Sequence, residues 1–268
     1  MRILSLTRCG FWIPKAIQKL RYLLSEKDPK VIFLSKTKLD KDEFRRLMRK
    51  LNFQLNFQNG FEVPRIGLGG GLALLWGDNM DVDVQTFSPH HIDAMINQND
   101  VIWHFTSFYG HFETSQRGES WDLLRQLHIL SSLPWLLLGD FNEILHPDKY
   151  CGSGSRPYNQ IAKFARTVDD CSLLDLGFSG PKFTWCNRRF EGNLVYARLD
   201  RGLCNLKWLD LFPSSKISHI PFGFSDLMAL VVKLQSLEGE SSSKKHRLFR
   251  FKAFWMRNPN CEDIIKSS

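Results

Sequence analysis

The clearest chemical signal in this 268-residue chain is Gly139-Asp140-Phe141-Asn142, which directly follows the apolar run Trp135-Leu-Leu-Leu. A buried strand would bring the backbone to the edge of a sheet, where Gly139 would let the chain turn tightly. On extended backbone, the side chains of Asp140 and Asn142 project to the same side. A carboxylate beside a carboxamide can orient a water molecule and donate to a phosphoryl oxygen. The same spacing fits a turn in which both side chains only satisfy nearby backbone groups.

Three further polar side chains stand near the ends of predicted strands: Tyr109, Asp200 and Asp226. Each also has a plain structural interpretation. Tyr109 would be a half-buried aromatic residue, and Asp226 would cap a turn or a helix. Asp200 lies between Arg198 and Arg201 and could form surface ion pairs with them. Residue type and position alone therefore favour structural roles for all three.

Two patterns look like ligand sites but do not fit them. His90 and His91 are adjacent, and neighbouring residues of a strand face opposite sides of the sheet, so we do not expect them to bind one metal ion. The glycine-rich stretch Gly67–Gly71 lacks the Lys-Ser/Thr of a phosphate-binding loop and leads into a strand rather than a helix. We expect it to be a turn.

The elements that must position these residues alternate at first between strand and helix, and strands dominate the middle of the chain. Asp40 and Glu43 have the spacing of a helix capping box. Short strands with turn residues between them favour antiparallel pairing, so we expect an α/β domain with a sheet-on-sheet core and helices outside. The predicted strands cover residues 1–6, 31–35, 72–76, 82–86, 90–96, 101–109, 135–142, 183–186, 194–200 and 227–234, and the helices residues 16–24, 41–51, 121–133 and 161–171.

Composition bounds the class of protein. Hydrophobic residues make up 43% and charged residues 24% of the chain, which is typical of a globular domain and excludes collagen-like, coiled-coil and fully disordered chains. The longest apolar runs are too short for a membrane helix, and the N-terminus does not have the pattern of a secretory signal. The six cysteines are scattered, which predicts reduced thiols in an intracellular protein, nuclear or cytoplasmic.

The net charge of +8 is concentrated near the C-terminus. Six basic and no acidic residues lie in Lys244–Arg257, and without them 30 basic residues face 28 acidic ones, a net charge of +2. We expect a domain over residues 1–235, followed by a polar linker and a basic-aromatic tail over residues 236–268. The tail could bind phosphates and bases, act as a nuclear-import signal, stay solvated, or pack on this domain or on a downstream one.

Six segments carry a family resemblance when they are taken in order along the chain. They are Met1-Arg-Ile-Leu-Ser, Val31-Ile-Phe-Leu-Ser-Lys-Thr-Lys, Phe108-Tyr-Gly-His, Gly139-Asp-Phe-Asn, Arg198-Leu-Asp-Arg and Ser225-Asp226. Over nearly its whole length the chain resembles the endonuclease/exonuclease/phosphatase family, and more narrowly the apurinic-type endonuclease domain of plant LINE-type (non-LTR) retrotransposons. The stretch Asp175–Trp185 and the tail segment Phe249–Trp255 are further features of that group.

The resemblance implies a DNase I-like fold, which is a four-layered α/β sandwich of two packed mixed or antiparallel sheets with the active site at one rim. The implied reaction is Mg²⁺-dependent hydrolysis of a DNA phosphodiester, and the family continues into a reverse transcriptase domain. By resemblance, Tyr109 donates to the phosphate, Asp140 and Asn142 position the attacking water, Asp200 supports the acidic cluster, and Asp226 would fix an imidazole.

Three positions depart from the family's pattern. Lys36 stands where the family has its principal metal ligand, a Glu; Thr7 replaces an Asn, and Leu227 replaces the His that follows Ser-Asp. An ammonium group cannot bind Mg²⁺, and the imidazole that contacts the phosphate is missing. We therefore expect a degenerate nuclease that is weakly active or inactive. The alternatives are a working endonuclease and a catalytically dead domain that binds nucleic acid or a partner.

Overall fold

The computed structural model describes residues 1–7, 14–55, 57–66, 69–98, 100–187, 194–222 and 228–235. Asp226, Leu227 and the predicted linker and tail lie outside these residues, so the domain boundary after residue 235 stays a prediction. In the part of the chain that is described, no helix is both long and apolar enough to cross a membrane.

Strands and helices alternate along the chain much as the sequence predicts. The strands are β1 (Arg2–Thr7), β2 (Val31–Ser35), β3 (Asn59–Ile66), β4 (Gly69–Trp76), β5 (Asp81–Ser88), β6 (His91–Gln98), β7 (Val101–Tyr109), β8 (Trp135–Asp140), β9 (Tyr150–Gly152), β10 (Leu174–Asp175), β11 (Trp185–Cys186), β12 (Val195–Ala197), β13 (Asp200–Cys204), β14 (Lys216–Pro221) and β15 (Met228–Lys233). The helices are α1 (Pro14–Lys27), α2 (Lys41–Leu55), α3 (Arg117–Leu130), α4 (Tyr158–Asp170) and α5 (Leu206–Leu211).

Two six-stranded mixed sheets form the centre of the domain. The first sheet has the order β14-β15-β1-β2-β4-β3, and the second has the order β10-β13-β8-β7-β6-β5. Each sheet contains one parallel pair, β1–β2 in the first and β7–β8 in the second, and its other pairs are antiparallel. A small three-stranded sheet, β11-β12-β9, lies apart from these two.

The apolar residues divide into layers that explain why the central strands are apolar without interruption. In β2, Phe33 packs between the two sheets, while Ile32 packs under helices α1 and α2. Strand β8 does the same, with Leu136 between the sheets and Leu137 under helices α3 and α4. A strand covered on both faces needs apolar residues at every position. The order helices, sheet, sheet, helices confirms the predicted four-layered α/β sandwich.

The start of α2 confirms the predicted capping box. The backbone N–H of Glu43 donates to Asp40 Oδ1 at 2.9 Å, and the backbone N–H of Asp40 donates to Glu43 Oε2 at 2.8 Å. These two bonds satisfy backbone donors that have no partner inside the helix. A local pattern of two residues is thus enough to define where this helix begins.

The structure corrects several boundaries. The predicted strand over residues 194–200 is two strands, β12 and β13, so Asp200 begins a strand instead of ending one. Strand β3 was not predicted because it contains Pro64, which cannot donate to a ladder; β3 lies at the edge of its sheet, where this is tolerated. Gly69–Gly71 belong to β4 and not to a turn, whereas Gly67 and Leu68 lie outside the described residues.

Candidate active site

The carboxyl ends of both parallel strand pairs meet at one rim of the sandwich. Thr7 ends β1, Lys36 follows β2, and Asp140 ends β8. All three line one recess of about 30 Å³, which is room for one or two groups of the size of water. The recess is lined by Thr7, Lys36, Asp140, Asn142, Thr184, Trp185, Asp200 and Met228. Residues from both sheets therefore converge on one small polar site.

The turn after β8 brings Asp140 and Asn142 together. Asn142 has a left-handed backbone with φ of 53°, and its backbone N–H donates to Asp140 Oδ1 at 2.8 Å. Its side-chain Nδ2 donates to the carbonyl oxygen of Gly110 at 2.6 Å. These are the bonds expected of a structural turn, and both side chains nevertheless line the recess. The two interpretations of this motif are therefore compatible.

Asp200 lies directly opposite Asp140, because the two residues are register partners in the antiparallel pair β13–β8. A chain of hydroxyl groups reaches it from the first sheet. Ser35 Oγ donates to Thr7 Oγ1 at 3.1 Å, and Thr7 Oγ1 donates to Asp200 Oδ1 at 2.8 Å. Thr7 is therefore a donor to the acidic pair, which is what a hydroxyl can supply in this position.

The pKa of Asp200 is raised to about 7 from its ordinary value of 3.8. Burial is the largest cause, and the negative charge of Asp140 adds to it. Hydrogen bonds from Thr184 and Thr7 and the positive charge of Lys36 act in the opposite direction but do not outweigh the burial. The recess therefore holds two carboxyl groups that do not ionise independently.

Asp200 does not form the surface ion pairs that its arginine neighbours suggest. Both nitrogens of the Arg198 fork donate to Asp175 at 2.9 Å, and Arg201 Nη1 lies 3.7 Å from the same carboxylate. Asp200 itself is only 5% exposed and contacts Thr7. The ion-pair partner of both arginines is thus Asp175, and the interpretation of Asp200 as a member of surface ion pairs is wrong.

Tyr109 ends β7 and is the register partner of Asp140 in the parallel pair β7–β8. It is 4% exposed, so it is more buried than the half-buried aromatic that its position suggests. Its backbone carbonyl oxygen accepts a bond from His90 Nδ1 at 3.0 Å. His91 contacts Ser88 and Thr86 instead, so the two adjacent histidines have different surroundings, as predicted.

Lys36 lines the recess, as the family resemblance predicts for this position. Its backbone is left-handed, with φ of 53°, and its Nζ lies 4.9 Å from the centroid of the Tyr109 ring. At this distance an ammonium group is attracted to the face of an aromatic ring. Its positive charge also acts to lower the pKa of Asp200, against the larger effect of burial.

Two contributors to the site were not singled out from the sequence. The hydroxyl of Thr184 accepts the backbone N–H groups of Leu199 and Asp200, both at 3.0 Å. Trp185, the next residue, also lines the recess. The only signal for either was their position in the stretch Asp175–Trp185, which contributes to the family resemblance.

A buried network of charged side chains stabilises the turn that follows β8. Glu143, which follows Asn142, is fully buried and accepts bonds from Arg117 Nη1 at 2.6 Å and from Arg156 Nη1 at 3.2 Å. Arg156 also donates to the backbone carbonyl oxygen of Asn142 at 3.2 Å. The signal for Glu143 was its place next to Asn142, but nothing local revealed its two arginine partners.

The groups in the recess do not fit a divalent metal ion. Mg²⁺ requires oxygen ligands in near-octahedral geometry, and proteins bind it through one or two carboxylates together with water and substrate phosphates. Here the positively charged residue Lys36 lines the recess together with Asp140 and Asp200, and one oxygen of each carboxylate already accepts a hydrogen bond. Across the residues that the structure describes, no three side chains of the metal-binding types come together.

Solved structures of other proteins share the fold of this chain. Neither a protein-family model nor a curated protein matches the sequence. Solved structures do match: the endonuclease domain of TRAS1, a telomere-specific non-LTR retrotransposon, is 14% identical with a TM-score of 0.65, covering 88% of this chain and 99% of that one. An AP endonuclease from Archaeoglobus fulgidus is 13% identical with a TM-score of 0.67, covering 87% and 99%.

A 3'-5' exonuclease from Neisseria meningitidis gives a similar result, with 15% identity, a TM-score of 0.64, and coverage of 87% of this chain and 99% of that one. Identities this low establish the fold and leave function open. The chain has the α/β sandwich of the DNase I fold, and its structural neighbours are proteins of the endonuclease/exonuclease/phosphatase type.

Proposed function

We propose that this chain is a nuclease-fold domain in which metal-dependent phosphodiester hydrolysis is lost or greatly weakened, while contact with nucleic acid is retained. The observation that carries the proposal is the position of Lys36. Lys36 lines the same recess as Asp140 and Asp200, where a divalent cation would have to bind. A positive charge at that point opposes the entry of a second one.

The remaining groups could still perform part of the chemistry. Asp140 and Asn142 would hold a water molecule beside a phosphate, and Tyr109 would supply a hydroxyl donor close to the same rim. A single ammonium group that faces two carboxylates leaves little net positive charge for the phosphoryl oxygens. Loss of a metal ligand lowers the rate on the order of a thousandfold. Replacement of the family's His by Leu227 removes an imidazole and lowers the rate by a further factor of about a hundred.

We further propose that the domain derives from a plant LINE-type retrotransposon, acts on or near DNA in the nucleus or cytoplasm, and would precede a reverse transcriptase. The ordered sequence segments support this origin, together with the fold shared with a retrotransposon endonuclease domain. Nucleic acid as a partner is supported by a structural neighbour from Neisseria that was solved with its product DNA hairpin. The basic-aromatic tail supplies charge for such a contact.

A plasmid-nicking assay tests the loss of hydrolysis. The purified protein is incubated with supercoiled plasmid in Mg²⁺ or Mn²⁺, beside an Asp140→Ala control that removes the carboxylate at the recess. We expect the two proteins to nick equally little. Metal-dependent nicking that Asp140→Ala abolishes would establish the working endonuclease instead.

A further inference from the structure

We infer that the ammonium group of Lys36 is a built-in counter-ion for the buried carboxylates of Asp140 and Asp200, so that this site keeps its structure without a divalent cation. This inference goes beyond the loss of hydrolysis, and it rests on the proposed function only in supposing that the recess takes no metal ion.

The fold forces the two carboxylates together. Asp140 and Asp200 are direct register partners on neighbouring antiparallel strands, so their side chains point to the same face of the sheet. Both residues are only 5% exposed, which leaves little water to screen them. Like charges in this arrangement repel each other, and the repulsion is stronger in a buried site than at the surface. Such a pair requires a compensating charge or a shared proton.

Neutral groups in the recess cannot supply that charge. The hydroxyl groups of Thr7 and Thr184 give hydrogen bonds to Asp200, but they carry no charge. Of the described residues that line the recess, Lys36 is the only cation.

The arginines around the site form their ion pairs with other carboxylates. Arg198 and Arg201 both face Asp175. Arg117 and Arg156 both contact Glu143. Among the described residues, the cation that lines the recess itself and can compensate the two carboxylates is Lys36.

The backbone around Lys36 holds the side chain in this position. Ser35 is fully buried and donates to Thr7, and the backbone N–H of Thr37 donates to the carbonyl oxygen of Gly71 at 3.1 Å. Lys36 lies between these two anchored residues in a left-handed conformation, which is unfavourable for a residue with a Cβ. The ring of Tyr109 then contacts the ammonium group from one side. Its placement is therefore defined by the tertiary structure.

Lys36→Met removes the charge and keeps most of the side-chain volume. The matched control is Lys38→Met, because Lys38 is also left-handed, with φ of 55°, but is exposed. Melting temperatures are measured above neutral pH, in EDTA and in excess Mn²⁺. In EDTA we expect Lys36→Met to melt at least about 3 °C below the native protein and Lys38→Met to be unchanged. Excess Mn²⁺ should then raise the melting temperature of Lys36→Met alone. The expected increase is about 3–6 °C when Mn²⁺ is present at ten times its Kd for this variant.

Two further variants keep the test decisive if Lys36→Met does not fold. Lys36→Arg retains the charge and should keep native stability in EDTA. The double variant Lys36→Met with Asp140→Asn removes one charge of each sign. It should recover most of the melting temperature that Lys36→Met loses in EDTA. If Lys36→Met is as stable as the native protein in EDTA, or if the double variant shows no recovery, Lys36 is not a counter-ion.

The outcomes separate this inference from the proposed function. An unchanged melting temperature for Lys36→Met would refute the counter-ion while the nicking result stands independently. If Mn²⁺ instead stabilises the native protein as much as Lys36→Met, a metal ion binds beside the ammonium group, and the counter-ion inference is wrong. The nicking assay alone would then decide whether hydrolysis survives.

Discussion

Replacing Asp200 with Asn should make the protein more stable, and the gain should grow with pH. Burial and the nearby charge of Asp140 raise the pKa of Asp200 to about 7 in the folded protein, against 3.8 for an ordinary aspartate. The folded state therefore binds this proton more tightly than the unfolded state does. The stability that this proton contributes is complete below about pH 4 and is lost as the pH rises through about 7.

The magnitude follows from the two pKa values. Each pKa unit between the folded and unfolded states corresponds to about 1.4 kcal/mol, so a rise from 3.8 to about 7 amounts to about 4 kcal/mol at pH values above 7. Asn carries no charge at any pH, and its carbonyl oxygen can still accept the bond from Thr7. The free energy of unfolding of Asp200→Asn, relative to the native protein, should therefore increase by about 4 kcal/mol between about pH 4 and pH 8.

Urea unfolding at a series of pH values measures this difference, and Asp175→Asn is the matched control. Burial alone would raise the pKa of Asp175, but the charges of Arg201 and Arg198 outweigh it and lower that pKa. Asp175 therefore stabilises the protein above the ordinary pKa of aspartate, and this stabilisation is lost as the pH falls through the folded pKa. Asp175→Asn should be destabilising at neutral pH. The reasoning is refuted if the curves of Asp200→Asn and the native protein stay parallel, or if both substitutions have the same sign at neutral pH.

Three other predictions concern the support of the site and the tail. Glu143→Ala removes the carboxylate partner of two mostly buried arginines and should cost about 3–5 kcal/mol in urea unfolding; a cost below about 1 kcal/mol would contradict this. Gly139 has a φ of 152°, and in Gly139→Ala the new Cβ would overlap the backbone carbonyl oxygen of Phe108, so this substitution should cost at least about 3 kcal/mol of stability. The control is Gly154→Ala, whose Cβ would have no atom within 4 Å and which should cost about 1 kcal/mol. Equal costs would remove the steric argument. Deleting the residues after Ser243 should weaken nucleic-acid affinity and flatten its salt dependence, and unchanged binding would exclude the tail as a contact.

The strands and their layers could be predicted because apolar sequence reports burial directly. Val31–Ser35 and Trp135–Asp140 are apolar along almost their whole length, and each proves to be covered on both faces. The start of α2 could be predicted because Asp40 and Glu43, three residues apart, each accept a bond from the other's backbone N–H. Strand β3 could not, because its Pro64 is acceptable only at a sheet edge, and edge position is a property of the assembled sheet.

Local sequence patterns were enough to predict the layered α/β class, the buried strands, and the order of the polar segments that suggested a site at one rim. They did not predict which polar groups are partners. Thr7 and Asp200 are 193 residues apart in sequence and 2.8 Å apart in space, and the neighbouring arginines pair with Asp175, not with Asp200. The physical reason is that the polarity of each residue indicates whether it is buried, whereas the partner of a buried charge depends on which strands lie side by side in the folded protein.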